Sequence, residues 1–169
     1  MIKAYLGDIT HANTDVIVNA ANPGLLGGGG VDGAIHRAAG PALLEACKQL
    51  KVIDGERCPF GEARLTLAGN LNCKYVVHAV GPIYHQAVNP DQVLVSAYRN
   101  ALDLVKQHHC QSVTFPAISC GVYGFPHEAA ARIAVSTCAL PEYAHLQIEF
   151  ALFSQDLLQL WLDEINLVQ

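Results

Sequence analysis

The 169-residue sequence predicts an α/β fold in which a mixed, mostly parallel sheet is covered on both faces by helices. Strand-like runs alternate along the chain with segments whose apolar residues recur at helical spacing. The runs at Val16–Val18 and Lys74–Val80 are largely apolar and β-branched, as strands buried on both faces must be. No internal repeat, low-complexity tract or linker interrupts this pattern. Residues 1–169 therefore read as a single domain, long enough to bury a real core.

The elements follow in order. Ile2 to Leu6 reads as a first strand, ending at Gly7-Asp8-Ile9-Thr10. A polar turn leads into the central strand at Val16. Asn19 and Asn22 stand where that strand ends, and four glycines follow, Gly27 to Gly30. Asp32 then opens a helix. Ile35 to Leu50 keeps helical spacing but meets Gly40-Pro41; proline opens a helix and interrupts one, so two helical pieces are expected. Residues 52–62 read as a loop. Ala63–Ala68 alternates as a strand, and Lys74–Val80 is a second, stopped by Gly81-Pro82. Asp91–His108 is an amphipathic helix with Leu94, Ala97, Tyr98, Ala101, Leu102 and Val105 on one face. Ser112–Ile118 is another buried strand, and the loop Ser119–Pro126 opens onto a helix over His127–Ala139. Gln147–Phe153 and Asp156–Leu167 complete the chain as strand and helix.

Composition narrows the function classes. Half of the residues are apolar (51%) and only 15% are charged, which excludes a disordered chain. The net charge of -5 argues against nucleic acid as a partner held by bulk electrostatics. An anionic ligand must then be held by local N–H groups and helix ends. The start Met-Ile-Lys runs directly into a strand with no signal peptide, and no apolar run approaches membrane-spanning length, so no membrane partner is expected. None of the six cysteines forms a Cys-x-x-Cys pair, and a chain of this size needs no disulfide staple. They read as reduced and mostly buried, which places the protein in the cytoplasm. His108-His109-Cys110 imitates a metal cluster but reads as a solvated helix end, since adjacent helical residues point in different directions.

The segment from Val16 to His36 carries the chemistry. Glycines let a ligand lie directly on main-chain N–H groups, and a helix starting after them adds donors and partial positive charge suited to phosphate. A carboxylate repels phosphate, so Asp32 suits sugar hydroxyls or a water instead. A flexible loop with Asp32 as helix N-cap is the plainer reading. The order strand, asparagines, glycines, acid, helix favours a site for a phosphorylated sugar or nucleotide. Pro116-Ala-Ile-Ser-Cys-Gly-Val-Tyr-Gly-Phe-Pro126 repeats the design, and two such loops would grip a diphosphate from both sides. Ligands of parallel sheets sit beyond the carboxyl ends of the strands, which puts Asp8, Asn19, Asn22, Ser119 and Phe153 along one rim.

These segments resemble the macrodomain family, and specifically its MacroD-type branch of O-acetyl-ADP-ribose deacetylases. The matching stretches are Gly7-Asp-Ile-Thr10, Val16-Ile-Val-Asn-Ala-Ala-Asn-Pro23, Gly27 to Pro41, His78-Ala-Val-Gly-Pro82 and Phe115 to Gly124. The resemblance implies a three-layer α/β/α sandwich binding ADP-ribose across the strand ends. It implies that Asp8 accepts from the adenine amino group beside Ile9, and that Phe153 stacks on adenine. Val31 and the loop of Ser119, Cys120, Gly121, Val122 and Tyr123 would hold the diphosphate. Asn22, Gly28, Gly29, Gly30, Asp32 and Tyr123 would surround the distal ribose, with Asn19 among the substrate-binding residues. Asn22 and Asp32 match the positions linked to catalysis. Zinc-dependent relatives carry extra Cys and His ligands in the glycine segment; these are missing here, so no metal and no other cofactor is expected.

The expected activity is hydrolysis of acyl or protein carboxylate substituents from the distal ribose, on O-acetyl-ADP-ribose or on mono-ADP-ribosylated proteins, by a monomer. The alternative is a non-catalytic module that reads ADP-ribosylated partners; phosphatase action on ADP-ribose 1″-phosphate is weaker. Cys120 is a rival nucleophile, because a thiol before a helix N-terminus is easily ionised. Phe60 and Ser154 depart from the family's usual small polar residue and acid. His36 could reach Asp32 but reads as a helix-packing residue, and His78 as a satisfied core histidine.

Overall fold

The computed structural model describes residues 1–169. Its strands are β1 (Ile2–Leu6), β2 (Val16–Ala20), β3 (Ala63–Leu67), β4 (Tyr75–Ala79), β5 (Ser112–Phe115) and β6 (Gln147–Leu152). The helices are α1 (Gly30–Ala39), α2 (Pro41–Lys48), α3 (Pro90–Gln107), α4 (His127–Cys138) and α5 (Gln155–Val168). Single 3-10 turns stand at Ile9–His11 and Pro141–Tyr143, the second of which the sequence did not announce.

The six strands form one sheet in the order β1-β6-β5-β2-β4-β3. Every pairing is parallel except β3 with β4, so the sheet is mixed with one antiparallel edge. Alternation along β2 shows how the layers are built. Val16 and Val18 join the larger core, where α3, α4 and α5 pack, while Ile17 joins Ile35, Ala39 and Leu43 beneath α1 and α2. Both faces are therefore covered, and the result is the three-layer α/β/α sandwich.

Gly40 divides α1 from α2 as Pro41 predicts. It sits at φ +79°, its N–H bonded to the carbonyl of His36, and Pro41 starts the next helix. Two strands stop sooner than their apolar sequence implies. β5 ends at Phe115, so Ala117 and Ile118 belong to the loop; β6 ends at Leu152, so Phe153 lies just beyond its carboxyl end. Both shortenings put residues on the rim. All six cysteines are free and all but Cys73 are buried. No helix is long and apolar enough to cross a membrane. His108 and His109 are exposed past the end of α3, and no group of three or more His, Cys, Asp or Glu side chains is arranged to hold a metal ion.

Candidate active site

A cleft of about 640 Å³ runs over the carboxyl ends of β2, β5 and β6. Its walls are the glycine loop with the first turn of α1 and the loop between β5 and α4, with Phe153 at one end.

The glycine loop is folded by Asn22. Its Oδ1 accepts from Leu25 N–H at 3.2 Å, and its Nδ2 donates to the carbonyl of Gly27 at 3.2 Å. One amide hydrogen of Asn22 stays available to the cleft. Gly33 allows α1 to begin here, because a Cβ on it would stand 2.7 Å from the carbonyl oxygen of Gly28. The helix starts at Gly30, two residues before the expected position, so Asp32 is inside its first turn rather than its cap. The N–H groups of Gly28, Gly29, Gly30, Val31 and Asp32 make no hydrogen bond within the protein.

The facing loop turns at Ser119, a non-glycine residue at φ +66°. Its hydroxyl donates to the carbonyl of Pro82 at 2.8 Å, and Phe125 N–H bonds its carbonyl at 2.9 Å, which hold this backbone in place. The N–H groups of Gly121, Val122 and Tyr123 have no internal partner. Two rows of free main-chain donors thus face one cleft, with the positive end of α1 on one side.

Asp32 is only 5% exposed. Burial raises its pKa above the usual carboxylate value; the Asn19 hydrogen bond and the nearby His36 work the other way. Its Oδ1 accepts from Asn19 Nδ2 at 2.8 Å, and His36 Nε2 lies 3.4 Å from the same oxygen, without hydrogen-bond alignment. A Cβ on Gly28 would lie 3.2 Å from Asp32 Oδ2 and 3.4 Å from Asn22 Nδ2, so the free carboxylate oxygen and the free amide share one spot.

Three expectations change here, and Ser154 gains a role. Asn19 is fully buried and does not line the cleft; it lies beneath Asp32, joining it to Nδ1 of His78 at 3.1 Å. Its side chain therefore holds the acid instead of substrate. His36 is more than a packing residue, since one helical turn brings it to Asp32. Cys120 faces the core, its N–H is bonded to the carbonyl of Ala117, and burial pushes its thiol up to about 12. It contributes neither a phosphate donor nor a thiolate at neutral pH. Cys120→Ala is expected to leave hydrolysis essentially unchanged in steady-state assays; loss of turnover would restore it as a participant. Ser154 caps α5, accepting from Leu157 N–H at 3.2 Å, where the family's acid would also serve as a cap.

Asp8 and Ile9 lie outside the cleft walls, beyond β1. Gly7 N–H bonds the carbonyl of Leu152 at 3.0 Å, which sets Gly7 beside Phe153 and Asp8 one residue further along the same rim. Thr10 donates twice to Asp8 Oδ1, lowering its pKa and leaving Oδ2 without a hydrogen bond. Phe153 is 63% exposed, an aromatic face offered to solvent at the cleft end. Gly81, Ala117 and Ile118 also line the cleft and were not anticipated. The signal for Gly81 was present: a glycine directly after a buried strand, where a Cβ would collide with Ser119 and Ile118.

Residues 18–134 match the sequence profile of the Macro domain family. The chain belongs to the macrodomain family. A macro domain-containing protein of Vibrio parahaemolyticus is 62% identical over 160 residues, covering 95% of this chain and 94% of that protein. The O-acetyl-ADP-ribose deacetylase of Escherichia coli is 53% identical over 163 residues, 92% of this chain and 89% of the enzyme. Among solved structures, the Oceanobacillus iheyensis macrodomain with ADP superposes with a TM-score of 0.92 at 44% identity, covering 98% of this chain and 90% of that one. A Trypanosoma brucei macrodomain in complex with ADP-ribose superposes at 0.84 with 39% identity, covering 95% of this chain and 67% of that one.

Proposed function

We propose that this macrodomain, acting as one domain over residues 1–169, binds ADP-ribose and hydrolyses acyl or protein carboxylate substituents from its distal ribose. The observation that carries the reading is Asp32, a buried carboxylate beside Asn22 at the head of a cleft lined by unpartnered N–H groups. Relatives from Klebsiella pneumoniae and Escherichia coli, 58% and 53% identical, bear the name O-acetyl-ADP-ribose deacetylase and support it.

ADP-ribose fits with its adenine at the β1–β6 end. Asp8 Oδ2 accepts from the adenine amino group, Ile9 N–H donates to the ring, and Phe153 stacks on it. The diphosphate takes the N–H groups of Val31 and of Gly121 to Tyr123, while Ser119 shapes that loop. The distal ribose then lies against Asn22, Gly28, Gly29, Gly30, Asp32 and Tyr123.

Hydrolysis needs a water held against the ester. Asp32, ionised and fixed by Asn19, accepts a proton from that water as its oxygen attacks the acyl carbon. The bond between the acyl carbon and the ribose oxygen breaks, and the proton passes to that ribose oxygen. The products are a carboxylic acid and ADP-ribose, with no other reactant. The unpaired cysteines suit a reducing compartment, so the reading places a monomer in the cytoplasm.

The test is release of free ADP-ribose from O-acetyl-ADP-ribose and from a mono-ADP-ribosylated protein. Tight calorimetric binding without release would make the chain a reader instead. Within this reading, Phe153→Ala is expected to weaken ADP-ribose binding by about 1–3 kcal/mol, roughly 5- to 150-fold in Kd, the worth of one stacked base. Calorimetry checks it; an unchanged Kd would remove Phe153 from the adenine.

A further inference from the structure

A second cavity, of about 490 Å³, lies directly beyond the inner end of the cleft. Sheet order explains its place. The proposed ligand starts at β1–β6 and reaches its distal ribose over β2; β4 and then β3 come next along the rim. Gly81, two residues past the end of β4, lines the cleft, while Pro82 lines the second cavity with Gly61, two residues before β3. The two spaces share a wall. Phe60 stands against Tyr123 with ring centroids 6.4 Å apart, and the loop after β4 is tied to the cleft by Tyr84 N–H on the carbonyl of Tyr123 at 2.9 Å.

The lining has a distinct chemistry. Phe60, Ile83 and Val93 give an apolar floor, while Gln86, Asn89 and Gln92 stand exposed around it with side-chain amides that bond nothing in the protein. No charged residue lines it. An acetyl group does not need such a volume, which falls in the range of ligand sites at roughly 300–1,000 Å³. Side-chain amides carry both donors and acceptors, the complement that a peptide main chain requires and a hydrocarbon chain does not.

Resting on the hydrolase reading above, we propose that this groove holds the peptide segment flanking an ADP-ribosylated carboxylate residue. The substituent leaves the distal ribose toward β4 and β3, and its main chain lies over Phe60 with its amide groups matched by Gln86, Asn89 and Gln92. Phe60, which departs from the family's small polar residue, then has a role as the shared wall.

The experiment compares kcat/KM for O-acetyl-ADP-ribose, for a long-chain O-acyl-ADP-ribose, for an ADP-ribosyl ester of free glutamate, and for the same ester within an extended peptide. Two variants are used: Ala87→Trp, which fills the groove from its outer loop, and Gln92→Ala on the exposed first turn of α3, which removes one amide without disturbing the fold. The wild type should prefer the peptide ester by about tenfold, the scale of one or two added contacts. Ala87→Trp should erase that preference and Gln92→Ala reduce it, with O-acetyl-ADP-ribose turned over at the wild-type rate by both. Equal handling of the peptide and free glutamate esters overturns the proposal, as does a peptide preference that survives both variants or a greater preference for a long-chain acyl ester. If no ester is cleaved, the hydrolase reading fails separately. Calorimetry then decides the groove: tighter binding of the ADP-ribosylated peptide than of ADP-ribose, lost in Ala87→Trp, sustains it, and equal binding overturns it.

Discussion

Asp32→Asn is expected to lower kcat/KM for O-acetyl-ADP-ribose by about 10²- to 10⁴-fold, the usual worth of a positioned general base. Affinity for ADP-ribose should change little, because the diphosphate is held by main-chain donors that the substitution does not touch. The asparagine Oδ1 still accepts from Asn19, so the local fold survives. Wild-type activity should fall as pH drops through the pKa of Asp32, since only the carboxylate takes a proton. Burial raises that pKa, so the acidic limb lies above the ordinary carboxylate value. In Asp32→Asn this limb should vanish.

Stability moves in the opposite sense. Asp32 has a higher pKa folded than unfolded, so its ionisation costs stability, and the cost appears as pH rises through the interval between the two values. Above that interval the asparagine variant is expected to melt no lower than the wild type; below the unfolded pKa the difference disappears. Thermal melts at two pH values check this. A variant that loses ADP-ribose binding and melting temperature together would make Asp32 a structural residue.

Much of this architecture was written in periodicity. Helical spacing from Leu94 to Val105 and β-branched runs such as Val16–Val18 locate their elements because both patterns answer directly to burial. The end of β5 was misplaced for the same reason. Ala117 and Ile118 are apolar because they line the cleft, Ile118 packing beside Gly81, and apolar loop residues look like strand. The two N–H-lined loops were legible because glycine runs next to helix starts have few other uses. What lies under the cleft was not. Asn19 and Asn22 are three residues apart in similar surroundings, yet one is sealed in the core and the other faces the ligand space. Strand alternation separates residues at even and odd spacing only while the strand lasts. β2 ends at Ala20, between them, and no spacing rule reaches across that end. The partnership of Asn19 with His78 depends on β2 pairing β4 in a register that sets the two residues side by side, a contact 59 residues apart in sequence.

That partnership yields the second large effect. Asn19 must present Nδ2 to the Asp32 carboxylate, so the same nitrogen donates to His78 Nδ1, which can only accept. Burial, with His36 adding to it, pushes the His78 pKa down to about 3, so its ring is neutral and carries its hydrogen on Nε2. Thr66 Oγ1 at 3.0 Å and Cys47 Sγ at 3.6 Å lie around that nitrogen. His78→Gln places its amide where Nε2 stood and leaves Asn19 without its second acceptor; His78→Asn places an acceptor near Nδ1 but empties more volume. The expected orders are therefore crossed. His78→Asn should melt lower, because it opens the larger cavity, yet keep most of the turnover. His78→Gln should melt higher but lose about tenfold or more in kcat, since a carboxylate displaced by as little as an ångström can lose up to about 10²-fold. Its KM should hold, and its acidic limb should move to higher pH as the Asn19 bond that stabilises the anion weakens. Steady-state kinetics across pH, with melts of both variants, decide between this and a packing role for His78. Packing alone would make turnover follow melting temperature in both.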